Sequence, residues 1–429
     1  MLVLSKNNNY VLIFLSFVFV MFGFLFQVNE KVLFFSVLIY AVFFTISFKF
    51  EFLYPPVLLI PTVFIYNSSV IILDFLNIRE ASHIREILFS IFLAITVIGF
   101  YSAFFLKNRG RVNVVELKSM KITTGVLGGL LNVLIIILSL YVLRFIVSGV
   151  ASKAELAISG SFSGFGIISK FFVFIFSLYI LNYYYDYRSF PRMKLIMSLT
   201  ITVLISLIIG ERDVLLTIVL ILMLIFYFIK KPSKIRVIVY LGVAIFLIPI
   251  TSQLKAIFTR NTKPNSENVF IRIFSGEFLS SGRNYETILK YSNAWDYFYG
   301  ESLLNDIKRS IVPPFIYEFK NSVHWFNSNF FTNGFNLGYG IGFSYLAEGY
   351  INFGYFGIIL WYFFLMIVVT YLYNSSYKSI LGLAIYLLML PNLIYLQRGD
   401  FSYLVSPLFK QVLFFYILLT LINSLYRKK

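Results

Sequence analysis

The chain has 429 residues, of which 59% are hydrophobic and only 13% are charged, and its mean hydropathy is +0.84. A water-soluble core could not bury this much apolar side chain, which excludes a soluble fold and indicates a polytopic membrane protein. The net charge of +17 does not indicate a nucleic-acid partner, because the basic residues cluster in short loops between apolar stretches; the lack of cysteine excludes disulfides and a cysteine nucleophile.

The apolar stretches predict the fold class. About 20 apolar residues cross the hydrocarbon core of a bilayer, and the chain offers about twelve such stretches. We therefore predict an all-α transmembrane bundle, whose first span stays as a membrane anchor because no small-residue cleavage site follows it. The expected spans are residues 10–28, 32–48, 53–73, 86–106, 122–146, 166–185, 195–210, 214–229, 236–251, 352–373, 379–396 and 405–425.

The distribution of basic residues predicts the orientation. Among the short loops and the termini, eighteen Lys and Arg residues fall on one side and six on the other, so we expect both termini in the cytoplasm. We expect one integral membrane domain, with transmembrane helices 1–9 in residues 1–251, a large extracytoplasmic loop in residues 252–340, and transmembrane helices 10–12 in residues 341–429. Arg212 and Arg398 then emerge on the same outer face as this loop.

Three consecutive charges, Glu211, Arg212 and Asp213, stand between two apolar runs. An ionised side chain at membrane depth is costly unless it faces a wet cavity or a partner, which favours a functional role for Arg212. The alternative is an ion pair within the cluster that closes a short hairpin. The two carboxylates have a spacing used for divalent cations, but the Arg between them would repel the ion, so we expect no bound metal.

The loop at 252–340 is too long to be a simple connection between two spans, and its aromatic content favours an ordered structure. Residues 278–299 and 302–311 are typical of short amphipathic helices on the membrane surface. Its cations are candidates for phosphate binding, with contacts to lipid headgroups as the alternative. They include Lys255, Arg260, Arg283 and Arg309.

A glycine-rich segment precedes the next span, and Ser344 could cap the helix that follows it. Tyr345, Glu348, Asn352 and Tyr355 recur at helical spacing, which predicts one polar face that cannot point at lipid. For Glu348 a structural hydrogen bond to a neighbouring helix stays open beside a functional role.

Two short segments of the sequence resemble motifs of a known family. The run Tyr345-Leu-Ala-Glu-Gly-Tyr-Ile-Asn-Phe-Gly resembles the Ala-Glu-x-Tyr-x-Asn-Phe-Gly segment of Wzy-type oligosaccharide repeat-unit polymerases, and Gly210-Glu-Arg-Asp resembles their short Gly-x-Arg segment. The layout is also similar, with a large outer loop rich in Arg and a further Arg, here Arg398, before the last helix.

The resemblance implies a GT-C-like membrane glycosyltransferase in the bacterial cytoplasmic membrane. Such an enzyme transfers a growing glycan from undecaprenyl pyrophosphate onto a lipid-linked repeat unit, producing O-antigen or capsule. It needs no nucleotide sugar, ATP or other cofactor. The implied partners are undecaprenyl-pyrophosphate-linked oligosaccharides, membrane lipids, a flippase and a chain-length regulator.

The residue types fit this chemistry. Guanidinium groups bind phosphate oxygens in bidentate fashion, so Arg212 and Arg398 are catalytic candidates for the departing pyrophosphate. Glu348 is the first candidate for the base that activates a sugar hydroxyl, with Asp400, Glu211 and Asp213 behind it. The residues expected to bind substrate or pyrophosphate are Lys255, Arg260, Arg283, Arg309, Asn352, Tyr345, Tyr350 and Asp400. For the aromatic residues, anchoring at the membrane interface is the alternative.

Two other functions stay open. A lipid-linked oligosaccharide flippase also has about twelve spans, but transporters commonly show internal repeats, and residues 1–210 and 211–429 are not similar to each other. A ligase that moves finished glycan onto lipid A core shares the plan but is expected to use a loop histidine. His324 is the histidine on the correct side, and its context favours a surface residue.

Overall fold

The computed structural model describes residues 6–48, 53–106, 114–119, 122–148, 164–209, 212–230, 274–312, 316–317, 319–333 and 341–427. Within these ranges the regular structure is helical, and nine helices are long and apolar enough to cross a membrane. Two shorter apolar helices, Val11–Leu25 and Val214–Tyr227, match two further predicted spans. The all-α fold is confirmed, and the predicted span 236–251 lies outside the described residues.

The helices follow one another with short connections over most of the chain. In chain order they are α1 (Lys6–Leu25), α2 (Glu30–Ser47), α3 (Pro55–Phe75), α4 (Ile84–Phe105), α5 (Thr124–Ser148), α6 (Phe165–Tyr187), α7 (Arg192–Leu204), α8 (Arg212–Lys230), α9 (Leu279–Lys290), α10 (Glu301–Ile311), α11 (Ser322–Phe330), α12 (Tyr345–Ser376), α13 (Ile380–Tyr395), α14 (Ser402–Ser406) and α15 (Phe414–Arg427).

The chain divides into two compact units. The first unit comprises Met1–Gly110, Asn268–Tyr371 and Asn392–Ser406. Aromatic side chains fill the space between α2 and α4, where the Tyr40 ring lies 5.1 Å from the Phe92 ring. Tilted aromatic contacts of this kind, here with an interplanar angle of 45°, pack an interior densely.

Helix α9 is packed among the transmembrane helices of the first unit. Its Gly282 lies against the backbone of Asn67 on α3, and the Tyr285 hydroxyl lies 2.5 Å from Ser90 Oγ on α4. Eight of its twelve residues are buried. The sequence pattern alone predicts a helix on the membrane surface, whereas the polar groups of α9 find partners on α3 and α4 and draw it into the bundle.

The second unit comprises Arg111–Glu267, Leu372–Pro391 and Pro407–Lys429. Helices α5 and α6 form its best-packed pair, joined by a hydrogen bond of 2.8 Å from Asn182 Nδ2 to Thr124 Oγ1. Lys194 Nζ on α7 donates to the carbonyl of Gly128 on α5 at 2.7 Å. The hydrophobic effect does not attract apolar helices to one another inside a bilayer. Buried polar contacts of this type therefore help to hold them at fixed positions.

Helix α12 contains a sharp reversal. The backbone leaves the helical region at Phe353 and Gly354, and Gly354 has a φ of 60° that favours glycine. A straight helix would hold the Cα atoms of residues 345 and 361 about 24 Å apart, yet the Tyr345 hydroxyl donates to the carbonyl of Trp361 at 3.1 Å. Residues 345–352, here called the re-entrant arm, therefore fold back along the spanning arm, residues 355–376.

Two glycines allow the arms to meet. A Cβ atom at Gly357 would lie 1.9 Å from the carbonyl oxygen of Gly349, so the two backbones touch where any side chain would separate them. The predicted polar face is shortened by this reversal. Glu348 and Asn352 stay on the re-entrant arm, while Tyr355 lies beyond the bend.

We expect Gly357→Ala to destabilise the protein strongly, because overpacking against backbone cannot be relieved by a rotamer change and costs about 1–3 kcal/mol or more. The measurement is the thermal unfolding midpoint of the detergent-purified protein. Gly129→Ala is the matched control, since a Cβ there meets nothing within 4 Å. Equal midpoints for the two variants would contradict the contact between the arms.

Candidate functional site

The first unit assembles a site around Glu348, which lies on the re-entrant arm and is fully buried. The backbone N–H of Phe401 donates to Glu348 Oε2 at 2.7 Å. Two serine hydroxyls, Ser302 on α10 and Ser322 on α11, donate to Glu348 Oε1 at 3.3 and 3.2 Å. One carboxyl group thus joins four separate segments of the chain.

Two further carboxyl groups lie beside Glu348, and both are fully buried. Asp306 Oδ2 on α10 accepts the backbone N–H of Ser402 at 3.0 Å. Asp400 Oδ2 accepts the backbone N–H of Val323 at 3.3 Å, and its other oxygen accepts the Ser402 hydroxyl. We call Asp306, Glu348 and Asp400 the carboxyl cluster.

The cluster is short of positive charge. None of its three members forms an ion pair with a lysine or arginine in the part of the chain that the structure describes. Burial, together with the charges of Asp400 and Glu348, raises the pKa of Asp306 well above its ordinary value. Burial also raises the pKa of Asp400, although its hydrogen bonds to Ser402 and the charge of Arg309 oppose this effect. Buried carboxyl groups without a counter-charge therefore retain protons at pH values where exposed ones have lost them.

Asn352 attaches the loop between α9 and α10 to the re-entrant arm. Its Nδ2 donates to the Ser302 hydroxyl and to the carbonyl of Glu348, both at 2.7 Å. Its Oδ1 accepts the backbone N–H of Gly300 at 2.9 Å. The position of α10, and with it the position of Asp306, depends on this amide.

A second buried polar network surrounds Asn67 and includes Ser344, the residue before the re-entrant arm. The hydroxyls of Ser344 and Ser281 both donate to Asn67 Oδ1, at 3.1 and 2.9 Å. The Ser281 hydroxyl also lies 2.6 Å from the carbonyl of Gln397. Ser344 Oγ in turn accepts the N–H of Ala347 at 3.4 Å, which is the N-cap expected from the sequence.

Arg309 on α10 and Arg398, two residues before Asp400 in the chain, are both partly exposed. The carbonyl of Arg398 accepts the N–H of Phe343 at 2.9 Å, which sets Arg398 beside the start of the re-entrant arm. Arg309 lies one helical turn from Asp306 on α10 and acts electrostatically on Asp400. The charge of Arg309 therefore acts on the buried acidic centre, whereas the charge of Arg398 acts on Tyr66 of α3.

Arg283 lies on α9 near Arg79, an arginine that the sequence analysis did not propose as a site residue. Arg79, in the turn before α4, forms an ion pair of 2.8 Å with Glu286. Partial burial and the nearby charge of Arg79 lower the pKa of Arg283. This pair places two positive charges close together beside one carboxylate.

The other predicted site residues lie in different places. Arg212 belongs to the second unit and begins α8, with its side chain outside the described part of the structure. Lys255 and Arg260 also lie outside the described residues. Tyr345 is fully buried and bonded to Trp361, so it packs the two arms together. Tyr350 is partly exposed and contacts Tyr285 at 5.8 Å.

The sequence reasoning missed Asp306. A signal was present, because Ser302, Asp306 and Ser310 recur every fourth residue along α10 and form its buried face. The exposed side carries apolar residues such as Leu304 and Ile311. A helix whose polar stripe points inward indicates a buried polar centre, whereas the usual interpretation assigns the apolar stripe to the interior.

The described residues contain no group of three or more His, Cys, Asp or Glu side chains arranged to hold a metal ion. The carboxyl cluster instead receives backbone and serine hydrogen-bond donors. Such donors stabilise negative charge without a cation.

Comparison with protein families decides the assignment. The profile of the family described as O-antigen polysaccharide polymerase Wzy matches residues 1–429, the whole chain. The chain belongs to this family. Searches of curated proteins and of solved structures each return no match.

The resemblance seen in the sequence is thereby confirmed. Members of the Wzy family polymerise polysaccharide repeat units and act on lipid-linked oligosaccharides in membranes. The nine membrane-spanning helices of the described part agree with a multi-pass bacterial membrane protein. The flippase and ligase alternatives gain no support from the match.

The carboxyl cluster predicts an unusual pH dependence of stability. Because the folded protein holds the Asp306 proton more tightly than the unfolded chain, the free energy of unfolding falls as the pH rises above the ordinary carboxyl pKa. We expect Asp306→Asn, which cannot ionise, to lose less stability than the wild type between about pH 6 and pH 9. Thermal unfolding of the purified protein across this range is the measurement.

The exposed Asp296 provides the control for this experiment. Asp296→Asn should follow the wild-type curve at every pH. Parallel curves for the wild type and Asp306→Asn would show that Asp306 titrates as an ordinary carboxyl.

Proposed function

We propose that this Wzy polymerase joins undecaprenyl-pyrophosphate-linked repeat units at the outer face of the cytoplasmic membrane and releases undecaprenyl pyrophosphate. The observation that carries the proposal is the carboxyl cluster with the charge of Arg309 beside it, in a chain of this family. A proton acceptor and a group that binds departing phosphate are the two requirements of glycosyl transfer from a pyrophosphate donor.

The outer location is supported by charge. Among the short loops and termini, those assigned to the cytoplasm carry eighteen Lys and Arg residues against six on the other side. With this orientation α9, α10, α11 and the turn around Asp400 belong to the outer half of the protein. Repeat units presented in the outer leaflet then reach the site without crossing the membrane.

Glu348 is the proposed base. It would accept the proton of the acceptor hydroxyl as that oxygen attacks the anomeric carbon of the donor glycan. Its location beneath Ser302 and Ser322 requires α10 and α11 to move apart when the acceptor binds. This movement also breaks the bonds of Asp306 with Ser402 and of Asp400 with Val323, each worth about 0.5–1.5 kcal/mol, so binding of the acceptor must offset their loss.

The proposed role of the other two carboxyls is to tune Glu348. Asp306 and Asp400 hold protons more tightly than exposed carboxyls do; the charge of Asp400 acts on Glu348, and Asp306 forms a hydrogen bond with it. A carboxylate in such surroundings is a stronger base near neutral pH than an exposed one, because catalysis improves as the pKa approaches the working pH. Asn352 keeps the group in place through α10.

Arg398, Arg309 and Arg283 are the proposed contacts of the pyrophosphate. Guanidinium groups keep their charge and offer paired donors to phosphate oxygens, so they stabilise the negative charge that develops as the bond to the carrier breaks. Arg212, Lys255 and Arg260 stay candidates for phosphate binding on the evidence of the sequence. Charge neutralisation by arginine leaves no step that needs a metal, which agrees with a GT-C-like enzyme driven by its lipid-linked donor.

Deletion of the gene tests the proposed function. We expect the surface polysaccharide to collapse to single repeat units on a gel, because assembly and export of one unit do not need the polymerase. Restoration by the wild-type gene is the control. Accumulation of carrier-linked units on the inner leaflet would instead identify a flippase.

Glu348→Gln tests the base. Gln keeps the size of the side chain and loses the ability to accept a proton, so we expect turnover of purified lipid-linked repeat units to fall about 100-fold with little change in donor binding. Glu301→Gln, which changes an exposed carboxylate on α10, should behave as the wild type. Unchanged turnover of Glu348→Gln would remove Glu348 from the reaction.

Arg398→Ala tests the phosphate contact. Loss of one well-placed donor to the leaving group lowers the rate by about 100-fold or more, and Arg398→Lys should recover part of it. Arg192→Ala removes an exposed guanidinium of the second unit and serves as the control. Wild-type polymer length in Arg398→Ala would refute the assignment.

A further inference from the structure

The loop between α9 and α10 carries an unusual set of aromatic side chains. Trp295 lies at its centre, with Tyr297 and Tyr299 following at alternate positions. Tyr297 and Tyr299 are 42% and 73% exposed, although both belong to a loop whose backbone is fixed. Large exposed rings in an ordered loop indicate a surface made for binding.

The rings hold one another in edge-on contacts. Trp295 packs against Tyr297 at 5.7 Å, against Trp325 of α11 at 6.1 Å and against Tyr350 of the re-entrant arm at 6.3 Å, with interplanar angles of 72–89°. Tyr299 continues the row at 6.2 Å from Tyr297. These contacts orient the rings before any ligand arrives, which reduces the entropy lost on binding.

Polar groups border the rings. The phenols of Tyr297 and Tyr350 interact with each other, and the half-exposed Glu86 of α4 acts electrostatically on Tyr350 and Tyr355. The buried Trp295 Nε1 has no hydrogen-bond partner in this part of the structure. Apolar ring faces next to hydroxyl and carboxylate groups match a pyranose, which has apolar C–H faces and a rim of hydroxyls.

This surface is fixed to the carboxyl cluster. The N–H groups of Phe298 and Tyr299 donate to the carbonyls of Ile351 and Asn352 at 2.9 and 3.3 Å. Asn352 is one helical turn from Glu348 and also accepts the N–H of Gly300. A ligand on the rings would therefore extend toward Glu348.

The distribution of charge around these rings favours a glycan over a lipid surface as their ligand. The exposed acidic residues of 291–307 are Asp296 and Glu301, and this stretch has no Lys or Arg; Lys290 precedes it, and Lys308 and Arg309 follow it. Anionic headgroups are repelled by the acidic part and attracted by the basic part. Aromatic residues that anchor a protein in anionic membrane usually stand beside Lys and Arg.

We propose that Trp295, Tyr297, Tyr299, Tyr350 and Glu86 form a saccharide-binding surface that holds the glycan of a repeat unit next to the carboxyl cluster. This proposal rests on the proposed function, because it assigns to the same site the place where the glycan lies. The rings stack on the C–H faces of the sugars, and Glu86 accepts hydrogen bonds from sugar hydroxyls. The neighbouring basic segment is left for the pyrophosphate.

The test measures binding of a lipid-free oligosaccharide of two repeat units to the full-length protein in nanodiscs, by saturation-transfer NMR and calorimetry. A glycan without its lipid cannot partition into the bilayer, so anchoring does not contribute to the signal. We expect Tyr299→Ala and Glu86→Gln each to weaken binding about three- to tenfold, as expected for the loss of one ring contact or one charged hydrogen bond. Tyr299→Phe, which keeps the ring, should bind nearly as the wild type.

Tyr317→Ala is the matched control, because Tyr317 is 62% exposed but lies between α10 and α11, outside the ring set. Unchanged affinity in both Tyr299→Ala and Glu86→Gln would overturn the proposal, as would reduced insertion in the membrane with unchanged affinity. The two proposals fail separately. A wild-type protein that binds the glycan but does not extend lipid-linked units refutes the polymerase reaction and keeps the surface, whereas normal extension with variants of wild-type affinity refutes only the surface.

Discussion

The burial of three carboxyl groups without a counter-charge constrains the rest of the first unit. Each charge removed from water has a large desolvation cost, and neither lysine nor arginine of the described residues pairs with the cluster. Backbone N–H groups of Phe401, Ser402 and Val323 and serine hydroxyls offset this cost. Since these donors come from different segments, the carboxyl groups fix α10, α11, α14 and the re-entrant arm together.

The reversal inside α12 makes this arrangement possible. Without the bend at Gly354, the polar residues of the re-entrant arm would lie along a helix facing the bilayer, where Glu348 would have no donors. The contact of Gly349 with Gly357 holds the arm against apolar residues of its own helix. Non-helical backbone at membrane depth is tolerated where protein surrounds it, which is the situation at this bend.

The functional proposals follow from the division of charge around this centre. The acidic groups are buried, the guanidinium groups of Arg398 and Arg309 are partly exposed, and the aromatic surface lies on the side that lacks basic residues. A substrate that joins a neutral glycan to a pyrophosphate has a matching separation of an uncharged part from an anionic part. Membership of the Wzy family gives polymerisation of repeat units, and the two proposals assign the glycan and the pyrophosphate to the aromatic and basic parts of this site.

The sequence alone determined the helical class, the positions of most spans and the family strings, because hydropathy and helical spacing are local properties that the bilayer enforces on every segment. It also placed Glu348 and Asn352 on one face. Only the tertiary structure brought Asp306 to Glu348, buried α9 in the bundle and gave Tyr345 a packing role. Such contacts join residues far apart in the chain, as with Ser302 and Glu348, which are 46 residues apart. No local pattern specifies which distant donors a buried carboxyl group will find.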